Sequence, residues 1–345
     1  MEGMSLRRRE YFIRRIGLTV LVLLGLTVLT FVLTRMVPSD PAALYIGPRA
    51  RPEEVAKARV LLGLDKPLYV QFFIYLRDLL QGNLGVSIRT KRPVLDDIRL
   101  NFPNSLELII ASLAIALIIG LPLGIVSAKR KDTIVDHISR VVTVAGVSIP
   151  AFWLGLLMQL LFMRVLGILP LGGRIDTIVG MMYPVKTITG FYLIDSLLTG
   201  NWPAFSSSLR HIILPALTLS AYSIGLIARM TRSTMLEVLG ENYIRTAKAW
   251  GFSDRAITYT YALKNAIGPT LTVVGLTFAY LITGTFYVET IFYWPGLGSY
   301  SALALLSLDF PVIMGVTLVL GTAYVLINLF LDLLQAYLDP RVVLG

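Results

Sequence analysis

The sequence has no cysteine and only two histidines, His137 and His211. The first absence rules out disulfides, zinc–thiolate centres and cysteine nucleophiles, and it leaves the redox compartment undetermined. The second leaves a metal without ligands, because a site needs several donors and each histidine stands alone. Charge is scarce: Asp, Glu, Lys and Arg make up 15% of the residues, against roughly 25% in soluble domains. Acid is scarcer than base, with 21 Asp and Glu against 31 Lys and Arg. The pair Gly-Lys never occurs, so there is no GxxxxGK[ST] phosphate loop. HExxH and GxSxG are missing as well, which removes the usual constellations for metal-assisted and serine hydrolysis. No catalytic residue and no metal ligand is expected.

What fills the 345 residues instead is apolar: 55% are hydrophobic and the mean hydropathy is +0.73. Several runs approach or exceed the ~20 residues that cross a bilayer. Six spans are expected, at 16–33, 106–127, within 141–166 with a bend near Pro150, and at 212–230, 267–288 and 311–334. The first follows Arg7, Arg8, Arg9, Arg14 and Arg15. It is too long for a signal-peptide core and no small-residue cleavage site follows it, so it reads as an uncleaved span. Six spans place both termini on one side. The segments on that side carry sixteen Lys and Arg, whereas the loop 167–208 has only Arg174 and Lys186. By the positive-inside rule both termini are cytoplasmic. The net charge of +10 then belongs to cytoplasmic loops, not to a nucleic-acid surface.

Between the first two spans, residues 38–100 are polar and proline-bearing, with helical spacing at 51–64 and 69–80. They read as a small helical subdomain outside the membrane, too long for its ten Lys and Arg to govern topology. Glu107 sits near the outer end of the second span, where a functional role and an interfacial one fit equally. Gly120 and Gly124 flank Pro122, which points to close helix packing and a kink. The loop 167–208 is rich in glycine and in rings that anchor at an interface or stack on a ligand. Residues 289–308 are too broken to span. Asn328 and Asp332 share a face of the last span and read as interhelical glue. Hydroxyls in apolar spans must find a partner or water. Tyr222, Ser223, Tyr280, Thr283 and Tyr324 are therefore candidates to line a substrate path, although bonds between helices explain each one as well.

The stretch 241–269 is a polar, basic island between the fourth and fifth spans. Tyr243, Ala247 and Trp250 fall at i, i+4 and i+7, on one helical face. Gly251 suits a helix C-terminus, and Ser253 can cap a following short helix with Asp254 in its first turn. Such an elbow is shaped either to press into a groove on another protein or to lie on the lipid surface.

YIRTAKAWG at 243–251 resembles the EAA loop of ABC-transporter permeases, with Arg245-Thr246-Ala247 where that pattern has Glu-Ala-Ala. MLEVL (235–239), ALKNAIGP (262–269), VETIFYWPGLG (288–298) and LDP (338–340) extend the resemblance over nearly the whole chain, to the dipeptide/oligopeptide importer type. The departures are the lost glutamate at 245 and a longer gap from Gly251 to Pro269 than in sugar-type permeases. The resemblance implies an all-α membrane protein, a type I ABC importer permease with six transmembrane helices. It implies segments 1–37 (cytoplasmic N-terminus and first span), 38–100 (external subdomain) and 101–345 (core permease, with a coupling loop at 233–266). It implies contact with the ATPase through Glu241, Tyr243, Ile244, Arg245, Thr246, Ala247, Trp250, Gly251, Phe252 and Ser253. The implied partners are a second homologous permease, two ATPase subunits and an extracellular substrate-binding protein. This chain would bind no cofactor; ATP and magnesium would sit in the ATPases. The expected function is peptide transport across the cell membrane, with oligosaccharide or nickel import by the same machinery as the alternative. An ion-driven secondary transporter is a further alternative, weakened by the lack of inverted repeats and mid-membrane acids.

Overall fold

The computed structural model describes the backbone of residues 2–36, 40–47, 51–61 and 63–338, and side chains from 13 to 331 within these. The tail 339–341, with most of the LDP motif, and the side chains of Arg7, Arg8, Arg9 and Asp332 lie outside the described residues. In chain order the helices are α1 (Glu2–Met36), α2 (Pro41–Ile46), α3 (Pro52–Leu61), α4 (Leu68–Leu80), α5 (Val94–Lys129), α6 (Ile134–Ser148), α7 (Ala151–Met158), α8 (Thr177–Met182), α9 (Tyr192–Leu198), α10 (Trp202–Leu239), α11 (Asn242–Ala249), α12 (Asp254–Ala256), α13 (Leu263–Ile291), α14 (Leu297–Leu306) and α15 (Phe310–Leu338). A π-helical turn extends α7 to Val165 and another joins α12 to α13. The fold is all-α, and among the described residues the only strand-like feature is one bridge between Val86 and Pro93.

Among the described residues, five helices are long and apolar enough to cross a membrane: Ile13–Met36, Val94–Lys129, Trp202–Leu239, Asp254–Ile291 and Phe310–Leu331. The expected third span departs from a simple kink. α6 and the α7 segment pass the same test only as a pair, and they meet at 110°. The cause is local. A residue before proline is pushed out of the helical region, and here both Ile149 (ψ 124°) and Pro150 (ψ 134°) are extended. Each arm is then about 22 Å long or less, short of a ~30 Å hydrocarbon core.

The chain forms two compact units, one from residues 1–102 with 299–345 and the other from 103–298. In the first, α1 packs along α15, and the Thr34 hydroxyl lies 3.4 Å from Met314 Sδ. Around it, Phe31 stacks on Tyr75, and Asp309 accepts from Ser87 Oγ at 2.6 Å. Tyr300 donates to Asp97 at 3.0 Å.

The second unit is built on α10, which packs against α13, α6, α7 and α9. The paired glycines of α5 act as their spacing predicts. A Cβ on Gly124 would stand 2.6 Å from Thr231 Cβ, and one on Gly120 would stand 3.0 Å from Ile227. Only glycine lets α5 approach α10 so closely.

Candidate functional site

An eight-residue helix such as α11 is too short to hold itself together in water; tertiary packing holds it. Ile244 and Ala247 are its buried residues. They join Ile125 and Ala128 of α5, Met235 of α10, and Ile257, Ala262 and Ala266 in one apolar cluster. Fully burying a side chain the size of Ile244 contributes about 1.5–3 kcal/mol. The helix is therefore clamped to the ends of α5, α10 and α13, and displacing it loads those ends.

Its end follows from glycine. Gly251 has φ +78°, its N–H bonds Lys248 O, and Phe252 N–H bonds Ala247 O at 3.2 Å. That pair of bonds closes the helix with a left-handed residue that only glycine adopts without strain. Ser253 Oγ then accepts from Ala256 N–H, opening α12 with Asp254 in its first turn. The second arm of the elbow is not a separate helix, as expected from sequence. It runs through the π-turn into α13, so the glycine joins a short helix directly to a span.

The remaining residues of the loop face outward. Trp250 is 77% exposed, and Tyr243 and Phe252 are also exposed. The Tyr243 hydroxyl accepts from Asn265 Nδ2 at 3.1 Å, and the Phe252 ring meets Tyr261. Glu241 is the N-cap residue, without a side-chain cap bond. Arg245 is exposed and carries no ion pair among the described residues. Thr246 bonds back to Asn242 O. The result is a short crest of exposed rings and base, seated on buried aliphatics.

Of the five hydroxyl residues proposed for a path, the structure brings two together. Tyr222 of α10 and Tyr280 of α13 stack with centroids 4.1 Å apart, beside a cavity of about 150 Å³ lined by the Gly146–Ala151 break. Ser223 is buried, and its hydroxyl finds no partner among the described residues. Thr283 bonds its own helix at Tyr280 O. Tyr324 belongs to the other unit.

Two ion pairs, one wholly buried and one with only its acid buried, carry more of the architecture than the sequence disclosed. Glu107, for which a functional and an interfacial role fit equally in sequence, is 5% exposed and pairs with Arg174, 7% exposed. Arg174 also donates to Asn104 Oδ1 at 2.6 Å and to Gly190 O at 2.9 Å, and it lies 3.7 Å from the centroid of the Tyr192 ring. Glu107 accepts from Leu193 N–H. Asn104 receives the Trp294 indole N–H at its carbonyl, and Ser105 donates to Glu289, which accepts from Gly298 N–H. The insert 167–200 and the turn of VETIFYWPGLG are thus tied to the same turn of α5. Next to the pair, Asp195 is buried. Burial pushes its carboxyl up, but the Thr189 hydroxyl and the N–H groups of Thr189, Ile188 and Gly190 outweigh that and hold it below the usual range. The second pair is Asp136 of α6 with Arg232 of α10, joined by two bonds at 2.8 and 2.9 Å. Ser127 of α5 also donates to Asp136. Both pairs join residues far apart in sequence, which single-chain spacing does not reveal. His211 bonds Ser207 O and His137 lies beside Arg140.

Comparison with known proteins agrees with this architecture. Residues 120–344 match the family described as "Binding-protein-dependent transport system inner membrane component", and residues 9–109 match the N-terminal family of the same systems. The chain is 49% identical to the probable D,D-dipeptide transport system permease protein DdpB of Escherichia coli (strain K12), over 94% of each. It is 42% identical to the dipeptide transport system permease protein DppB of Alkalihalophilus pseudofirmus, over 96% of this chain and 98% of that one. It is 41% identical to the di/tripeptide transport system permease protein DppB of Pseudomonas aeruginosa, with the same coverage. A multi-pass inner-membrane protein, the chain belongs to the family of ABC-importer permeases that are the membrane components of binding-protein-dependent transport systems.

Proposed function

We propose that this permease moves dipeptides and short oligopeptides inward, forming half of a pore with a second, homologous permease. Two ATPase subunits supply the ATP and magnesium, and an extracellular binding protein delivers the cargo. The observation that carries the cargo is the likeness, over nearly the full chain, to permeases named for D,D-dipeptide, dipeptide and di/tripeptide transport.

In this reading both termini are cytoplasmic, 1–37 holds the N-terminal segment and first span, and 38–100 is an external subdomain. The rest, 101–345, is the permease core. The loop 233–266 is the coupling element. Its crest, with Glu241, Tyr243, Arg245, Thr246, Trp250, Phe252 and Ser253, docks on the ATPase, while Ile244, Ala247 and Gly251 fix it to the spans. Closure of the ATPases pushes the crest, and the spans rock between outward-open and inward-open states. Support comes from the geometry of a rigid seat beneath exposed rings, which suits a helix pressed into a groove. Tyr222, Ser223, Tyr280, Thr283 and Tyr324 stay the proposed contacts along the path.

The test is to purify the chain from its own membrane in mild detergent and identify what comes with it. The expected set is a second permease, ATPase chains and a binding protein carrying peptide. A binding protein that carries a sugar or a metal ion overturns the cargo; a chain that purifies without any ATPase overturns the machinery.

A further inference from the structure

A cavity of about 330 Å³ lies in the second unit among α5, α6 and α10, lined by Leu123, Gly124, Ser127, Thr143, Val144 and Ala228 together with Arg140, Arg229 and Arg232. It is a lopsided site. Arg232 is held by the wholly buried Asp136, which also takes the Ser127 hydroxyl and the Asp132 N–H. Arg140 reaches the same carboxylate only at 3.5 Å. Arg229 has no hydrogen bond or ion pair among the described residues. The acids facing the cavity's arginines are Asp136, which neutralises one of them, and Asp132, which acts on Arg232 at longer range. Three guanidinium groups against these leave a positive surplus.

The depth is telling. Leu123 and Lys129 are six residues apart on α5, about 9 Å along the axis. The cavity thus begins one to two turns inside a membrane-spanning helix and opens beside its basic end. Its walls are apolar toward the span, through Leu123, Val144 and Ala228, and cationic toward the basic turn. An anionic group with an apolar continuation matches that gradient, because guanidinium pairs with phosphate oxygens in a fork and basic pockets between spans capture lipid headgroups.

We propose that this cavity is a binding site for a phosphate anion, namely the headgroup of an anionic phospholipid, with Arg229 and Arg140 as its contacts and Arg232 as a fixed wall. Asp136 serves the site by orienting Arg232 and by keeping it from collapsing onto the ligand. The site is independent of the cargo, so the peptide reading can fail without it.

The experiment uses the purified complex in detergent. Phosphatidylglycerol and phosphatidylcholine are titrated separately, with retained lipid counted by native mass spectrometry, and inorganic phosphate is titrated in a parallel arm read by thermal unfolding. The wild type is expected to hold one phosphatidylglycerol per copy of this chain and no phosphatidylcholine. Arg229→Gln and Arg140→Gln should each weaken that binding about tenfold, as loss of one charge-assisted contact does. Lys131→Gln removes the same charge from outside the cavity and should leave binding unchanged. Equal retention in Arg229→Gln and wild type overturns the site. Equal loss in Lys131→Gln overturns it too, by making the attraction diffuse. Stabilisation by inorganic phosphate without any retained phosphatidylglycerol overturns the lipid as source.

Discussion

Removing Arg174 should loosen the insert 167–200 and little else. Arg174 is 7% exposed, and its guanidinium donates to the Glu107 carboxylate, Asn104 Oδ1 and Gly190 O. Arg174→Met keeps the length of the side chain and deletes the charge. Glu107, 5% exposed, then keeps only the Leu193 N–H. Breaking a buried pair by removing one partner costs about 3–5 kcal/mol. That is roughly a 10²–10⁴-fold rise in the open population of the segment. Hydrogen exchange of the 188–193 amides reads that population directly. The double variant Glu107→Met/Arg174→Met removes the stranded charge, so it should recover part of the protection; the bonds to Asn104, Gly190 and Leu193 are still lost, so it should not recover all. Native exchange in Arg174→Met would refute the assignment of this pair as the clasp of the insert. So would a double variant worse than either single one.

Other outcomes follow from the same geometry. A Cβ at Gly251 meets nothing within 4 Å, so Gly251→Val tests backbone strain alone; at φ +78° it should cost about 1–3 kcal/mol. Stimulated ATP hydrolysis and transport should fall while the protein still inserts, and normal coupling in this variant counts against the crest. The Asp195 carboxyl is held below its ordinary value, so its contribution is complete above the unfolded value of ~3.9 and fades as pH drops through the lower folded one. Protection factors of the 188–190 amides should stay flat between pH 7 and 5, and Asp195→Asn should lower them at both. In this cysteine-free chain, Glu54→Cys should react with an impermeant thiol reagent added outside, and Asp254→Cys should not. Labelling at 254 from outside reverses the proposed orientation.

The sequence disclosed what depends on composition and short spacing. Long apolar runs marked the spans, Gly120 and Gly124 marked a close helix contact, and Gly251 followed by Ser253 marked a helix end and the next start. Each of these is local chemistry, written within a few residues. The ion pairs were not readable. Glu107 could not be decided between a functional and an interfacial role because its partner lies 67 residues away on an insert with no periodic pattern. Asp136 offered no signal at all, because its partner Arg232 sits 96 residues on. Pro150 announced a bend, yet its size came from a second extended residue, Ile149, which sequence reads only as a residue before proline. The crest residues were named by motif. Their sorting into a buried aliphatic seat and an exposed ring surface depends on where α5, α10 and α13 end together.

The most direct measurement is uptake. The permease is reconstituted in vesicles with its second permease, its ATPases and its binding protein, and it is given labelled di- to pentapeptides or oligosaccharides of similar size. ATP-dependent accumulation of the peptides, abolished when the binding protein is left out, is the predicted result. Accumulation of the oligosaccharides with none of the peptides would contradict the peptide assignment.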